Sequence, residues 1–185
     1  DIMIRNKSKV RNILFLSRIE KEKGIFITLE AYRLLLPKYS DLTLTVVGSG
    51  EALENVRKYV LENKLDNVLI TGNLNGDKLR KQFERGDIYI FPTYFGEGMP
   101  TSVLEAMAFG LPVLTRPNAG LADFFDSEKM GFCSLSLDPH DYARNLDRFL
   151  SDMELYRKVA FYNYQYAKKN FLASKVAKQL EEYCI

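Results

Sequence analysis

The chain of 185 residues has few of the residues that several classes of enzyme need. Its two cysteines, Cys133 and Cys184, are far apart and fit no metal-binding spacing, which favours a reducing compartment. The single histidine, His140, has no thiol or carboxylate at triad or ligand spacing, so we expect a surface residue. These shortages argue against Ser-His-Asp hydrolases and metalloenzymes, and no metal site is expected.

Two further shortages concern partners. A formal net charge of +2 gives no general electrostatic reason to bind nucleic acid or a membrane. No apolar run approaches the ~18–20 residues of a membrane span, and no signal peptide is recognisable. The apolar content of 46% and charged content of 27% are typical of a soluble globular domain. Because the chain begins at Asp1 rather than Met, we expect it to be a piece of a longer protein, with residues 1–11 as a linker.

Short β-branched runs alternate with amphipathic segments along most of the chain. Strands are expected at Asn12–Ser17, Leu42–Gly48, Val68–Gly72, Ile88–Pro92, Pro112–Thr115 and, less clearly, Phe132–Leu137. Helices are expected at Gly24–Leu36, Glu51–Asn63, Asp77–Arg85 and Pro100–Phe109, and a helical tail over 143–185. This order predicts one α/β domain over 12–185, a doubly wound Rossmann-like parallel sheet with helices on both faces.

Ligands of such sheets bind outside the carboxyl ends of the strands, where the charges and glycines of this sequence fall. The most informative stretch is YFGEGMPTSVLEAMAFGLP, from Tyr94 to Pro112. Pro100 suits the first helical position, and Thr101 and Ser102 can cap the free N–H groups there. A helix that begins at a glycine-rich loop favours an anion, such as a phosphate.

Two carboxylates of this stretch, Glu97 and Glu105, stand eight positions apart. They fit either an acid–base pair or acceptors of ligand hydroxyl groups, and the alternative is two ordinary surface charges. Because Glu105 lies in an otherwise apolar helix, we expect its carboxylate to have a partner.

Other candidate residues leave alternatives open. Arg18 and Lys23 could neutralise a leaving diphosphate, or they could form a solvated charge run paired with the interleaved Glu20 and Glu22. Gly48 and Gly50 favour a purely geometric role at a turn over close approach to a ligand. Basic and aromatic residues of the tail, such as Arg157, Tyr162 and Lys168, could suggest RNA or a membrane surface, but packing against an absent domain is simpler.

Together these motifs resemble the nucleotide-binding half of GT-B glycosyltransferases, specifically the retaining family 4 (glycosyl transferases group 1). The resemblance covers about Asn12 to Tyr183, and its most specific piece is FGEGMPTSVLEAMAFGLPVLT, similar to the E-x7-E signature of the family. SRIEKEKG is similar to the family's cation motif. The resemblance implies a sugar transferase that uses a nucleoside-diphosphate sugar, without a metal or other cofactor.

The resemblance also implies roles for individual residues. Arg18 and Lys23 would bind the donor diphosphate, Glu105 the ribose hydroxyls, and Glu97 would face the donor sugar. The remaining donor-site candidates are backbone and base contacts, namely Gly98, Met99, Pro100 and Thr101 for phosphate and sugar, Gly72, Asn73, Leu74, Lys78 and Leu79 for the base, and Gly48 and Gly50 in the same cleft.

Some features depart from the family. Asn118 to Asp123 replaces the usual double glycine and Pro-Glu pair, and Cys133 and Ser134 stand where aliphatic residues are usual. The resemblance implies an N-terminal acceptor-binding domain, which we expect to lie outside this chain. The resemblance further implies an acceptor glycan or lipid-linked sugar, a role in polysaccharide or glycolipid synthesis, no nucleic-acid partner, and a cytoplasmic protein, peripheral at the inner membrane face where the acceptor is lipid-linked.

Two rival functions fit the same half-domain. One is a nucleotide-sugar epimerase, which needs a group placed for proton abstraction. The other is a non-catalytic module that only binds a nucleotide sugar. Intact Arg18, Lys23, Glu97 and Glu105 argue against a degenerate domain.

Overall fold

The computed structural model describes residues 8–96 and 98–172. Six strands form one sheet: β1 (Asn12–Leu16), β2 (Thr43–Val47), β3 (Val68–Gly72), β4 (Ile88–Phe91), β5 (Val113–Thr115) and β6 (Gly131–Cys133). The helices are α1 (Ile25–Leu35), α2 (Leu53–Glu62), α3 (Gly76–Arg85), α4 (Thr101–Ala108), α5 (Pro139–Ser151) and α6 (Met153–Asn170). Cys184 and the last part of the predicted tail, 173–185, lie outside the described residues.

All five strand pairs are parallel, in the order β3-β2-β1-β4-β5-β6. β2 and β3 follow one another on one side of β1. β4, β5 and β6 follow one another on its other side. Because parallel crossovers are right-handed, the connecting helices lie on opposite faces of the sheet. The predicted doubly wound, Rossmann-like α/β fold is confirmed.

Contacts among the helices agree with this arrangement. α1 packs against α2 and α5, whereas α4 packs against α6. On the α4 side, the rings of Phe83 in α3 and Phe109 after α4 stack with their centroids 5.2 Å apart. The sheet between the two helical layers is the core, and all four residues of β4 are buried.

Several local signals explain where elements begin. Asp138 accepts a hydrogen bond from the N–H of His140, and Pro139 occupies the first turn, so the Asp-Pro pair starts α5. Asp152 caps α6 through the N–H groups of Glu154 and Leu155. His140 is exposed, as its isolation in the sequence predicted.

Two predicted boundaries differ from the structure. The strand expected over Phe132–Leu137 is shorter, Gly131–Cys133, because its partner β5 ends at Thr115 and Leu135 turns out to solvent, 76% exposed. At the other end of the domain, Val10 is fully buried within the segment expected as a linker.

Candidate functional site

Five loops that follow β1 to β5 meet at the carboxyl edge of the sheet and are joined by backbone hydrogen bonds. The first and second loops are joined by the Ile19 N–H to the Ser49 carbonyl, 2.9 Å, and by the Ala52 N–H to the Ile19 carbonyl, 3.0 Å. The N–H of Gly48 donates to the carbonyl of Gly72 at 2.9 Å, which joins the second loop to the third. The sequence placed these loops at one edge, and the structure confirms that they meet there.

The loop after β4 is held from two sides. The N–H groups of Tyr94 and Phe95 both donate to the Glu22 carbonyl, at 2.9 and 3.2 Å. On the other side, the N–H of Gly120 donates to the Gly98 carbonyl at 3.0 Å, and the Asn118 amide donates to the Phe95 carbonyl. The segment that leads to α4 is therefore fixed between the first loop and the fifth.

Arg18 extends into an open cleft at this edge. The cleft has a volume of about 190 Å³, and its lining includes the predicted residues Arg18, Gly48, Asn73, Leu74 and Leu79. Three further residues, Leu16, Ser17 and Val47, complete the lining. Their contribution was missed because strand-end residues carry no sequence signal for a ligand. Lys78 is exposed on α3 and is not part of this lining.

Arg18 forms an ion pair that is exposed to solvent. Its guanidinium forms an ion pair with Glu20 at 2.8 Å, while the Arg18 side chain is 64% exposed. The pairing that the sequence left open thus exists, but such an exposed pair contributes little to stability. The guanidinium can exchange Glu20 for an incoming anion at small cost.

Lys23 lies in a different environment from Arg18. It is only 3% exposed, and its Nζ atom lies 4.1 Å from the centre of the Phe95 ring. The loop after β4 thus covers the second predicted cation. Phe95 was not among the predicted residues, because an aromatic residue beside a glycine carries no signal for this role.

Gly48 and Gly50 are required by the neighbouring loop. A Cβ atom on Gly48 would lie 1.9 Å from the carbonyl oxygen of Ser17, and one on Gly50 would lie 2.5 Å from that of Ile19. Contacts below 3.0 Å force the backbone to move. The geometric role favoured by the sequence is confirmed, and the two glycines let the loop with Arg18 pack closely over β2.

The start of α4 differs in detail from the prediction. Pro100 is the residue before the helix, Thr101 is the first helical residue, and Pro100 supplies no side-chain cap. The first backbone hydrogen bond runs from the N–H of Val103 to the Pro100 carbonyl, 3.0 Å. The N–H groups of Thr101 and Ser102 have no intrahelical partner, as in any first turn, and such groups can bind an anion.

Of the two predicted carboxylates, the structure describes only Glu105. Glu97 lies outside the described residues. Glu105 is exposed on α4, and within the described ranges its carboxylate accepts no hydrogen bond and forms no ion pair. Val103, Ala106 and Met107 provide the buried side of the helix, and a partner for the Glu105 carboxylate stays a prediction. Partial burial nevertheless raises the pKa of the Glu105 carboxyl above its usual value.

The remaining predicted residues lie around this edge without a common pocket. Gly98 and Met99 contact the fifth loop, since a Cβ atom on Gly120 would lie 2.6 Å from the Met99 methyl group. Gly72 ends β3 with a φ of +72°.

Among residues 8–96 and 98–172, no three His, Cys, Asp or Glu side chains could together hold a metal ion. Nor does any helix in that part of the chain combine the length and apolar character that crossing a bilayer requires.

Residues 3–166 match the family model described as Glycosyl transferases group 1. The chain belongs to this family. A relative from Erwinia amylovora, "Amylovoran biosynthesis glycosyltransferase AmsK", is 25% identical over 142 residues, which are 74% of this chain and 35% of the relative. The chain spans less than half the length of the curated relatives it matches, between 35% and 45% for four of them.

Two solved structures share the fold of this group 1 family chain. The C-terminal domain of the group 1 protein LpcC from Francisella tularensis superposes with a TM-score of 0.79 and 24% identity, over 88% of this chain and 87% of that one. The Anabaena protein HepE, solved in complex with UDP-glucose, has a TM-score of 0.84 and 18% identity, over 98% of this chain and 49% of that one.

Proposed function

We propose that this chain is the donor-binding domain, the C-terminal half, of a retaining GT-B glycosyltransferase of family 4. The observation that carries the proposal is the pair of hydrogen bonds from Tyr94 and Phe95 to the Glu22 carbonyl. They hold the loop with Arg18 and Lys23 against the segment that leads to α4. The loop of the two cations and the start of α4 are thereby brought to one edge, an arrangement suited to a diphosphate.

The other parts of a nucleoside-diphosphate sugar have places along the same edge. The cleft lined by Asn73, Leu74 and Leu79 is next to Arg18 and would take the base. Glu105, on the exposed side of α4, would accept hydrogen bonds from the ribose hydroxyls. Glu97 and the backbone of Gly98 to Thr101 would face the donor sugar. The UDP-glucose bound to HepE supports a ligand of this class.

In the proposed reaction, the bond between the anomeric carbon and the diphosphate oxygen breaks, and an acceptor hydroxyl forms a new bond on the same face of the sugar. The acceptor proton passes to an oxygen of the departing diphosphate. Arg18, Lys23 and the N–H groups at the start of α4 would stabilise the charge that develops there, at about 3–4 kcal/mol per well-placed donor. In this scheme the proton chemistry belongs to the diphosphate and to the N-terminal domain, and no metal ion is invoked.

The acceptor would be held by an N-terminal domain of the full-length protein, which we propose as the missing partner. The role of AmsK in amylovoran biosynthesis supports an acceptor of the polysaccharide or glycolipid kind. We expect the isolated chain to bind a nucleotide but to transfer little or no sugar. Measurable turnover by the 185-residue chain alone would contradict the assignment of the acceptor site to another domain.

The experiment that tests the proposal is a calorimetric panel of UDP, GDP, ADP and their sugars against the wild-type chain. Binding of at least one diphosphate is expected, and binding of none would overturn the proposal. Arg18→Ala and Lys23→Ala should then weaken the diphosphate much more than its nucleoside. Lys58→Ala is the matched control, because Lys58 lies on α2, pairs with Glu62 and does not line the cleft, so it should change neither affinity.

A further inference from the structure

The hydroxyl group of Tyr89 joins two elements of the candidate site. Tyr89 lies in β4 and is fully buried. Its oxygen lies 2.9 Å from the carbonyl oxygen of Leu16 and 2.7 Å from the Oγ atom of Ser102. Leu16 is the last residue of β1, two positions before Arg18, and Ser102 lies in the first turn of α4. One hydroxyl group therefore connects the loop with Arg18 to the start of α4.

The position of Tyr89 in the sheet explains why a connection is needed there. The chain reverses its direction through the sheet between β1 and β4, and crevices in this fold open at that boundary. The register between the two strands pairs Ile13 with Ile88 and Leu14 with Tyr89. β1 continues to Leu16, paired on its other side with Val47. The Tyr89 side chain thus holds the two strands together beyond their paired residues.

The direction of each hydrogen bond follows from the chemistry of the groups. A carbonyl oxygen can only accept, so the single hydroxyl hydrogen of Tyr89 is donated to Leu16. The Tyr89 oxygen must then accept the hydrogen of the Ser102 hydroxyl. Ser102 therefore points its only side-chain hydrogen into the protein. Its backbone N–H group belongs to the first turn of α4.

We propose that Tyr89 is a positioning residue for diphosphate binding. It sets the distance between the Arg18 loop and the first turn of α4, so that both reach the same anion. The inference rests on the proposed function of the site. Tyr89 touches no ligand in this scheme; it acts through Leu16 on one side and Ser102 on the other.

The chain offers a matched control for loss of a buried tyrosine hydroxyl. Tyr32 is also fully buried, and its hydroxyl donates to the carbonyl of Leu42 at 3.0 Å. Leu42 precedes β2, at the opposite end of the strands from the candidate site. Tyr89→Phe and Tyr32→Phe each remove one buried hydroxyl. A purely structural role for Tyr89 predicts that the two variants lose similar stability and that neither changes ligand preference.

The test measures dissociation constants for whichever of UDP, GDP and ADP the wild-type chain binds, and for the corresponding nucleoside. Because a lost hydrogen bond is worth about 1 kcal/mol, Tyr89→Phe should weaken diphosphate binding by about fivefold and leave nucleoside binding unchanged. Tyr32→Phe should change neither. Ser102→Ala should reproduce the effect, and Tyr89→Phe with Ser102→Ala should weaken binding no further than Tyr89→Phe alone.

The outcomes separate this inference from the function on which it rests. If the wild-type chain binds no diphosphate, the proposed function fails, and the role of Tyr89 fails with it. If the wild-type chain binds a diphosphate and Tyr89→Phe matches Tyr32→Phe in affinity, only the role of Tyr89 is overturned. Melting temperatures of all variants are recorded beside the affinities, and Ser102→Ala provides the same comparison should Tyr89→Phe fail to fold.

Discussion

The Nζ atom of Lys23 lies 4.1 Å from the centre of the Phe95 ring, and the lysine is only 3% exposed. The ring is fixed above it because the Phe95 N–H donates to the Glu22 carbonyl, next to Lys23 in the chain. The Phe95 ring is thus one of the groups that cover the ammonium group of Lys23. We expect access to Lys23 to increase when this ring is removed.

Replacement of Phe95 by Ala should uncover Lys23. Because Phe95 is 44% exposed, its cation–π contact is worth about 0.5–1 kcal/mol, so diphosphate binding should tighten by about two- to fivefold. The direct measurement is the rate of acylation at Lys23, read by mass spectrometry against exposed Lys21 in the same molecule. The rate at Lys23 should rise in Phe95→Ala and stay low in Phe95→Tyr, which keeps the ring. Equal rates in both variants would show that Phe95 does not cover the lysine.

Gly48→Ala should disturb the loop that carries Arg18. The added Cβ atom would lie 1.9 Å from the Ser17 carbonyl oxygen, so one of the two loops must move. Gly72→Ala is the control, since Gly72 also has a positive φ of +72° but has no atom within 4 Å of an added Cβ. We expect Gly72→Ala to cost about 1 kcal/mol from backbone strain and Gly48→Ala to cost clearly more. Urea denaturation measures both, and equal losses would contradict the packing argument.

The sheet and its carboxyl edge could be predicted from the sequence because apolar β-branched runs and the glycines after them are local signals. The environments of Arg18 and Lys23 could not, although the two cations share one motif. Lys23 is covered by Phe95, 72 positions further along the chain, and no local pattern records that contact. The hydrogen bond between Tyr89 and Ser102 also leaves no local pattern. In the sequence, Tyr89 is one residue of an apolar run that predicts a buried strand.

Asp147 should make stability depend on pH. Burial acts to raise the pKa of its carboxyl, but hydrogen bonds from Lys38 at 2.7 Å and Tyr39 at 2.6 Å outweigh burial and lower it. A lowered pKa means that the ionised carboxylate stabilises the fold above the usual aspartate value. This stabilisation is lost as the pH falls through the lower value of the folded state.

The measurement for Asp147 is the urea midpoint of wild type and Asp147→Asn between pH 3 and pH 7. The variant should be less stable than wild type at neutral pH, and the difference should shrink as the pH falls below about 4. Asp141→Asn is the control, because Asp141 pairs with exposed Arg144 on its own helix. A difference that is constant over the whole pH range would mean that the charge of Asp147 is not the cause.

We expect the ionised carboxylate of Glu105 to lower the stability of the fold and to contribute to nucleotide binding. Partial burial raises the pKa of its carboxyl, and the described residues supply neither a hydrogen bond nor an ion pair to the charged form. A carboxyl with a raised pKa destabilises the fold when it is ionised. The penalty is complete above the raised value and disappears as the pH falls toward about 4.3, the usual value for glutamate. Glu105→Gln should therefore raise the melting temperature at pH 7 and leave it unchanged near pH 3.

The same substitution should weaken binding of any ligand whose hydroxyl groups donate to this carboxylate, since an amide offers one acceptor oxygen in place of two charged ones. The loss should appear for the nucleoside as well as for the diphosphate, which distinguishes Glu105 from Arg18 and Lys23. Glu84→Gln, on exposed α3 and paired with Arg80, controls for the loss of one surface charge. If Glu105→Gln gains stability at pH 7 without losing nucleoside affinity, Glu105 is a surface charge and not a ligand contact.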